Sequence, residues 1–187
     1  PLQTFPTEND VEMSILSSVG SIQRDKESLV EYEEISSTFN NFKSLRFKGA
    51  TPPKTINPAQ YRKLDNFSKL VSVVTAQALE DSGLNIKKLD TSKVGILFTT
   101  PSGPVEVVEG IEKQITTDGY AYVSASRFPF TVMNAAAGML SIMFKIKGPL
   151  SVISTNNGAI DGIQYAKEMM RNNQLEYVLL VSANQWI

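Results

Sequence analysis

Three short apolar runs constrain this chain more than any other feature. Val94–Thr99 reads Val-Gly-Ile-Leu-Phe-Thr, residues 150–154 read Leu-Ser-Val-Ile-Ser, and Tyr177–Ser182 reads Tyr-Val-Leu-Leu-Val-Ser. The first is apolar without the in–out alternation of a half-exposed strand, as a strand covered on both faces requires. Between the runs lie helical patterns. Val105, Val108, Ile111 and Ile115 follow the turn Ser102-Gly103-Pro104 and end near Gly119. A helix over 135–145, dense in Ala and Met, can be capped by Asn134 and is closed by Gly148-Pro149. A further helix covers about 159–172. Strands alternating with helices predict an α/β fold, its largely parallel sheet flanked by helices.

Upstream the pattern is looser. Residues 11–17 read as a short first strand, ended by Ser18-Val19-Gly20. Residues 24–60 read as irregular and polar, with Glu31, Glu33 and Glu34 on a solvated face and Pro52-Pro53 breaking the chain. Asn57-Pro58 is a good helix start, a capping side chain followed by proline at the first helical position. Beyond it Phe67, Leu70, Val71, Val74, Ala78 and Leu79 recur at helical spacing, with Gly83 as the stop. No repeat or low-complexity tract interrupts the chain.

Composition excludes several chemistries. The chain has no Cys and no His, so thiolate nucleophiles, disulfides, Cys/His metal sites and imidazole catalysis cannot be built from it. Neither a metal nor a cofactor is expected. With 18 Lys+Arg against 19 Asp+Glu, it lacks the charge of an electrostatic nucleic-acid binder. Residues 128–144 carry no charge, but Pro129, Thr131 and Asn134 favour a loop followed by a buried helix over a membrane span. Residues 1–10 are polar and lack the order of a secretory signal, and a cytoplasmic location is expected.

Ligands of α/β sheets bind at the carboxyl ends of strands, where helix N-termini offer free N–H groups. Two loops qualify. Residues 99–103 (Thr-Thr-Pro-Ser-Gly) match no phosphate-binding spacing. Ser154-Thr155-Asn156-Asn157-Gly158 is a tight strand-to-helix elbow, a place where a turn residue is held at the head of a helix beside oxyanion-binding N–H groups. The plain alternative is that Asn156 or Asn157 merely caps the helix.

The elbow, with Gly148-Pro149 before it and a helix carrying Asp161 after it, resembles the nucleophile elbow of β-ketoacyl-acyl-carrier-protein synthases, members of the thiolase-fold family. Met133-Asn134-Ala135-Ala136-Ala137-Gly138 is similar to that family's M-P-N-A-A-A-G segment. Leu64 to Ser68 and Ala76 to Leu84 resemble its first long helix, and Val94 to Gly103 its strand ending in Gly-Ser-Gly. These segments keep the family's order over roughly residues 11–187. The resemblance implies a thiolase-like half, 1–187 forming an N-terminal domain that is incomplete without a second half or chain.

The departures set the functional expectation. The family's nucleophilic Cys falls at Asn157, or at Asn156 under a one-residue shift; an amide nitrogen is conjugated with its carbonyl and cannot carry an acyl chain as a thioester. Ser17-Ser18-Val19-Gly20 stands where the family prefers a Gly-rich turn, and Pro101 sits in the second loop. The family's catalytic histidines and lysine belong to a second half. The resemblance therefore implies a non-condensing, chain-length-factor-like subunit of fatty-acid, polyketide or polyene synthesis. Its partners would be a catalytic ketosynthase or a complementary second-half chain, and an acyl carrier protein. Phe130, Met133 and Asn134 would border the acyl pocket; Ser154, Thr155 and Gly158 would form the elbow; Leu150 and Val152 would lie at the interface. The alternatives are a malonyl-thioester decarboxylase and a catalytically dead acyl-binding or scaffold fragment.

Overall fold

The computed structural model describes residues 51–52 and 54–185 in full and, before them, the backbone of four strands. The chain divides into two compact units, 1–84 and 85–187.

In the first unit, β1 (Leu2–Phe5) pairs antiparallel with β2 (Met13–Leu16), Leu2 opposite Leu16 and Phe5 opposite Met13. The expected first strand is thus narrower than residues 11–17, and its partner comes from the polar opening segment; the turn expected at 18–20 lies outside the described residues. Within 24–60, read as irregular, β3 (Val30–Ser36) and β4 (Lys43–Ala50) form an antiparallel ladder with a register shift between Glu31 and Tyr32. The period-two alternation that strands need is present in both: Val30 and Tyr32 set off by Glu31 and Glu33, and Leu45 and Phe47 set off by Ser44, Arg46 and Lys48.

Asn57 caps a helix as expected, its Oδ1 accepting from the Ala59 N–H at 2.9 Å, but this helix, α1 (Pro58–Tyr61), lasts one turn. The long helix α2 (Asn66–Asp81) begins again at Asp65, whose Oδ2 accepts from the N–H groups of Phe67 (3.0 Å) and Ser68 (3.2 Å). A second cap in the sequence makes two helices of the expected one. α2 packs along β4 and buries Phe67, Val71, Ala76 and Leu79. Its buried hydroxyls bond back to the helix: Thr75 Oγ1 donates to the Val71 carbonyl at 2.8 Å. Gly83, at φ +68°, ends the run.

The second unit is a three-stranded parallel sheet in the order β6-β5-β7, from β5 (Val94–Thr99), β6 (Leu150–Ile153) and β7 (Tyr177–Ser182). Ile96 to Thr99 pair with Leu150 to Ile153, and Val94 to Thr99 with Tyr177 to Ser182. All six β5 residues are buried whereas all four of β6 are half-buried, as central and edge positions demand. Three helices flank the sheet: α3 (Val105–Asp118), α4 (Ala135–Phe144) and α5 (Ala159–Asn173). α5 packs on β5 and β7, where Ala166, Met169 and Leu175 close over Leu97. The approach is close: a Cβ on Gly162 would stand 2.5 Å from a Leu180 methyl and 3.1 Å from Thr99 Cγ2.

Two helix ends depart from expectation. Asn134 makes no side-chain cap: at φ −88°, ψ 0° it lacks the extended backbone that aims a capping oxygen at the first turn. Lys145 is not helical but takes a left-handed closing conformation at φ 56°, and Gln174 does the same after α5.

Candidate functional site

The three strands end together, and the loops after them meet. Thr100, buried, continues β5; its Oγ1 accepts from the Gly103 N–H at 3.0 Å, and its carbonyl accepts from the Thr155 N–H at 3.4 Å. Ser154 Oγ donates to the Pro101 carbonyl at 3.2 Å, so the loop after β6 is tied to the loop after β5. The segment after β7 closes the other side. Ser102 Oγ donates to Asn184 Oδ1 at 2.7 Å, and Gln185 Oε1 accepts from the Glu106 N–H at 3.3 Å while its Nε2 donates to Glu106 Oε2 at 2.8 Å. Because Pro104 gives α3 no side-chain cap, Gln185 satisfies one of the amides left open there.

The elbow itself is a knot of side chains. Thr155 Oγ1 donates to Asp161 Oδ2 in a short hydrogen bond and accepts from the Asn157 N–H at 3.1 Å. Asn157 Nδ2 donates to both oxygens of Asp161, at 3.2 Å each. Asp161 stands in the first turn of α5, where the helix dipole favours a carboxylate. The corner is Gly158, at φ 57° and ψ −124°, a conformation that L side chains rarely adopt. A Cβ there would also stand 3.0 Å from Ser182 Oγ.

Ser154, Thr155, Asn157 and Gly158 come together at the strand ends, and Asn156 is exposed beside them. Neither asparagine serves as the helix cap of the plain alternative: the N-cap position is Gly158, without a side-chain bond. Met133, 36% exposed, lies against the loop after β5, its Cγ 3.2 Å from where a Gly103 Cβ would stand. Phe130 is half-buried in the turn before α4, and Asn134 is exposed. Leu150 and Val152 are half-buried on β6, one edge of the sheet. The role of Asp161 as the acceptor that organises the elbow went unread. Its signal was a carboxylate in the first turn of the helix that follows the Thr155-Asn156-Asn157 turn.

This chemistry is that of a held amide and a half-buried, hydrogen-bonded carboxylate, with no thiol at any position. Comparison with known proteins decides the family. The sequence profile of the beta-ketoacyl synthase N-terminal domain matches residues 17–186. The chain belongs to the beta-ketoacyl synthase family. The 3-oxoacyl-[acyl-carrier-protein] synthase 2 of Vibrio cholerae serotype O1 is 33% identical over 156 residues, covering 80% of this chain and 36% of the relative. That of Coxiella burnetii is 27% identical over 129 residues, covering 68% and 31%. The chain thus spans about a third of the length of the curated relatives it matches.

Among solved structures, a type II PKS acyl-carrier protein in complex with its ketosynthase bound to the hexaketide superposes with a TM-score of 0.60. Identity is 25%, and the match covers 74% of this chain and 41% of that one. The ishigamide ketosynthase/chain length factor gives a TM-score of 0.54 at 24% identity, over 70% of this chain and 37% of that one, a likeness of fold. The thiolase-like synthase fold expected from the sequence is the fold observed. Among the described residues, no helix is long and apolar enough to cross a membrane, as expected for the uncharged stretch 128–144.

Proposed function

We propose that this chain, as an N-terminal ketosynthase-like domain over 1–187 completed by a second half or chain, is a non-condensing, chain-length-factor-like subunit of fatty-acid or polyketide synthesis. The observation that carries the reading is the elbow. Its strand-to-helix corner is Gly158, which has no side chain, and the two residues before it are amides. A glycine and a conjugated amide cannot form the acyl thioester on which condensation depends. Pairing and pocket lining are the roles that need the fold without the nucleophile.

In this reading the partners are a catalytic ketosynthase and an acyl carrier protein, in the cytoplasm. Phe130, Met133 and Asn134 border the growing acyl chain, and Leu150 and Val152 lie at the interface. The position of Met133 against Gly103, beside the strand ends, supports the pocket assignment. The decarboxylase alternative needs an amide free to hold an enolate oxygen; here Asn157 Nδ2 is engaged by Asp161.

The test is reconstitution of the purified chain with a catalytic ketosynthase and carrier-bound thioesters. Phe130→Ala and Met133→Ala are expected to change the length of the product while the assembly still forms. Unchanged product lengths in an intact assembly would remove the pocket role.

A further inference from the structure

We infer that the peptide Asn157-Gly158 is a site of spontaneous deamidation, which converts the elbow amide into a carboxylate or an isoaspartyl linkage. This inference stands on the geometry of the elbow and does not depend on the synthase reading.

The pair is the single Asn-Gly in the chain. The other asparagines precede residues with side chains, among them Asn85 before Ile86, Asn134 before Ala135, Asn156 before Asn157 and Asn172 before Asn173. In the reaction the Gly158 main-chain nitrogen gives its proton to solvent and attacks Asn157 Cγ. The new C–N bond closes a succinimide, and the Cγ–Nδ2 bond breaks as ammonia leaves with a proton from water. Water then opens the ring at either carbonyl, giving aspartate or isoaspartate. Glycine favours the first step because it has no Cβ to crowd the attacking nitrogen.

Three observations make the folded elbow permissive. Asn157 is exposed and lies between β6 and α5, outside both. The Gly158 N–H donates to no acceptor among the described residues, so the attack breaks no ladder bond. That nitrogen also stands at the positive end of a 15-residue helix, which favours the negative charge it develops. Against these stands one restraint: Cγ must swing away from Asp161, which holds the amide through two bonds of 3.2 Å. Once reacted, the site cannot return to its former network. A carboxylate at 157 faces Asp161 with like charge where an amide donated, and an isoaspartate lengthens the main chain at its tightest corner.

The full chain, folded and in parallel unfolded in urea, is incubated at neutral and mildly alkaline pH. It is then peptide-mapped, with isoaspartyl methyltransferase labelling. In the folded chain Asn157 is expected to convert faster than any other asparagine, yielding isoaspartate alongside aspartate. Asn157→Gln is expected to remove the acidic species that forms fastest, as read on ion exchange. Asp161→Ala is expected to convert faster than the parent. An Asn157 that stays an amide in the folded chain while converting in urea overturns the inference, as does another asparagine that leads. This comparison decides the matter even where Asp161→Ala does not fold; a folded Asp161→Ala that converts no faster overturns the restraint.

Discussion

The amide of Asn157 donates to both carboxylate oxygens of Asp161, four residues on, while the Thr155 hydroxyl donates to one of them. One carboxylate therefore holds together the end of β6, the turn and the first turn of α5. Asp161→Ala removes these bonds together with a favourable charge at the helix N-terminus. It is expected to cost about 1–2 kcal/mol, measured by denaturant unfolding. Asp161→Asn, which keeps an acceptor oxygen, is expected to cost less.

Phe98 is fully buried in the central strand, between β6 and β7. Phe98→Ala is expected to destabilise by about 3–5 kcal/mol through lost burial and the cavity left behind. Tyr120→Ala, at a residue 82% exposed, is expected to be nearly neutral in the same denaturation experiment.

Asp90 caps the short turn that leads into β5, its Oδ1 accepting from the Ser92 N–H at 3.0 Å and from Ser92 Oγ at 2.7 Å. These bonds, aided by Lys93 and Lys147, hold its carboxyl below the usual carboxylate range. A depressed folded-state value means stability that is present above the unfolded-state value and lost as pH falls through the folded one. Asp90→Asn is therefore expected to be less stable than the parent at neutral pH, the difference closing as acid protonates Asp90. Thermal unfolding across the acid range measures it; a difference that does not shrink with acid would contradict the assignment.

Much of the second unit was legible because its signals are local. Val94–Thr99 had no polar alternation to mislead, and Tyr177–Ser182 matched its expected bounds. The β3–β4 ladder was less legible because Glu31, Glu33 and Glu34 make β3 polar in composition and its pairing with β4 is not a local signal. The break between α1 and α2 was missed because apolar spacing alone does not register a second cap at Asp65. At the elbow, the residue types were readable but the corner was not. Which of Asn156, Asn157 and Gly158 takes a positive φ depends on how the turn meets Ser182 and α5, contacts made across the fold.

Under the proposed pairing, Val152 on the edge strand β6 faces a partner. Val152→Asp is expected to prevent association with a catalytic ketosynthase in sedimentation experiments, because a charge would be desolvated within a paired strand. Phe130→Ala is expected to leave the assembly intact. An assembly that survives Val152→Asp would remove β6 from the interface.

Intact-mass spectrometry after incubation with acyl-carrier thioesters tests the proposed elbow without a nucleophile. The chain is expected to show no covalent acyl adduct, alone or beside a catalytic ketosynthase that does become acylated. A stable acyl shift mapping to residues 150–160 would contradict the account.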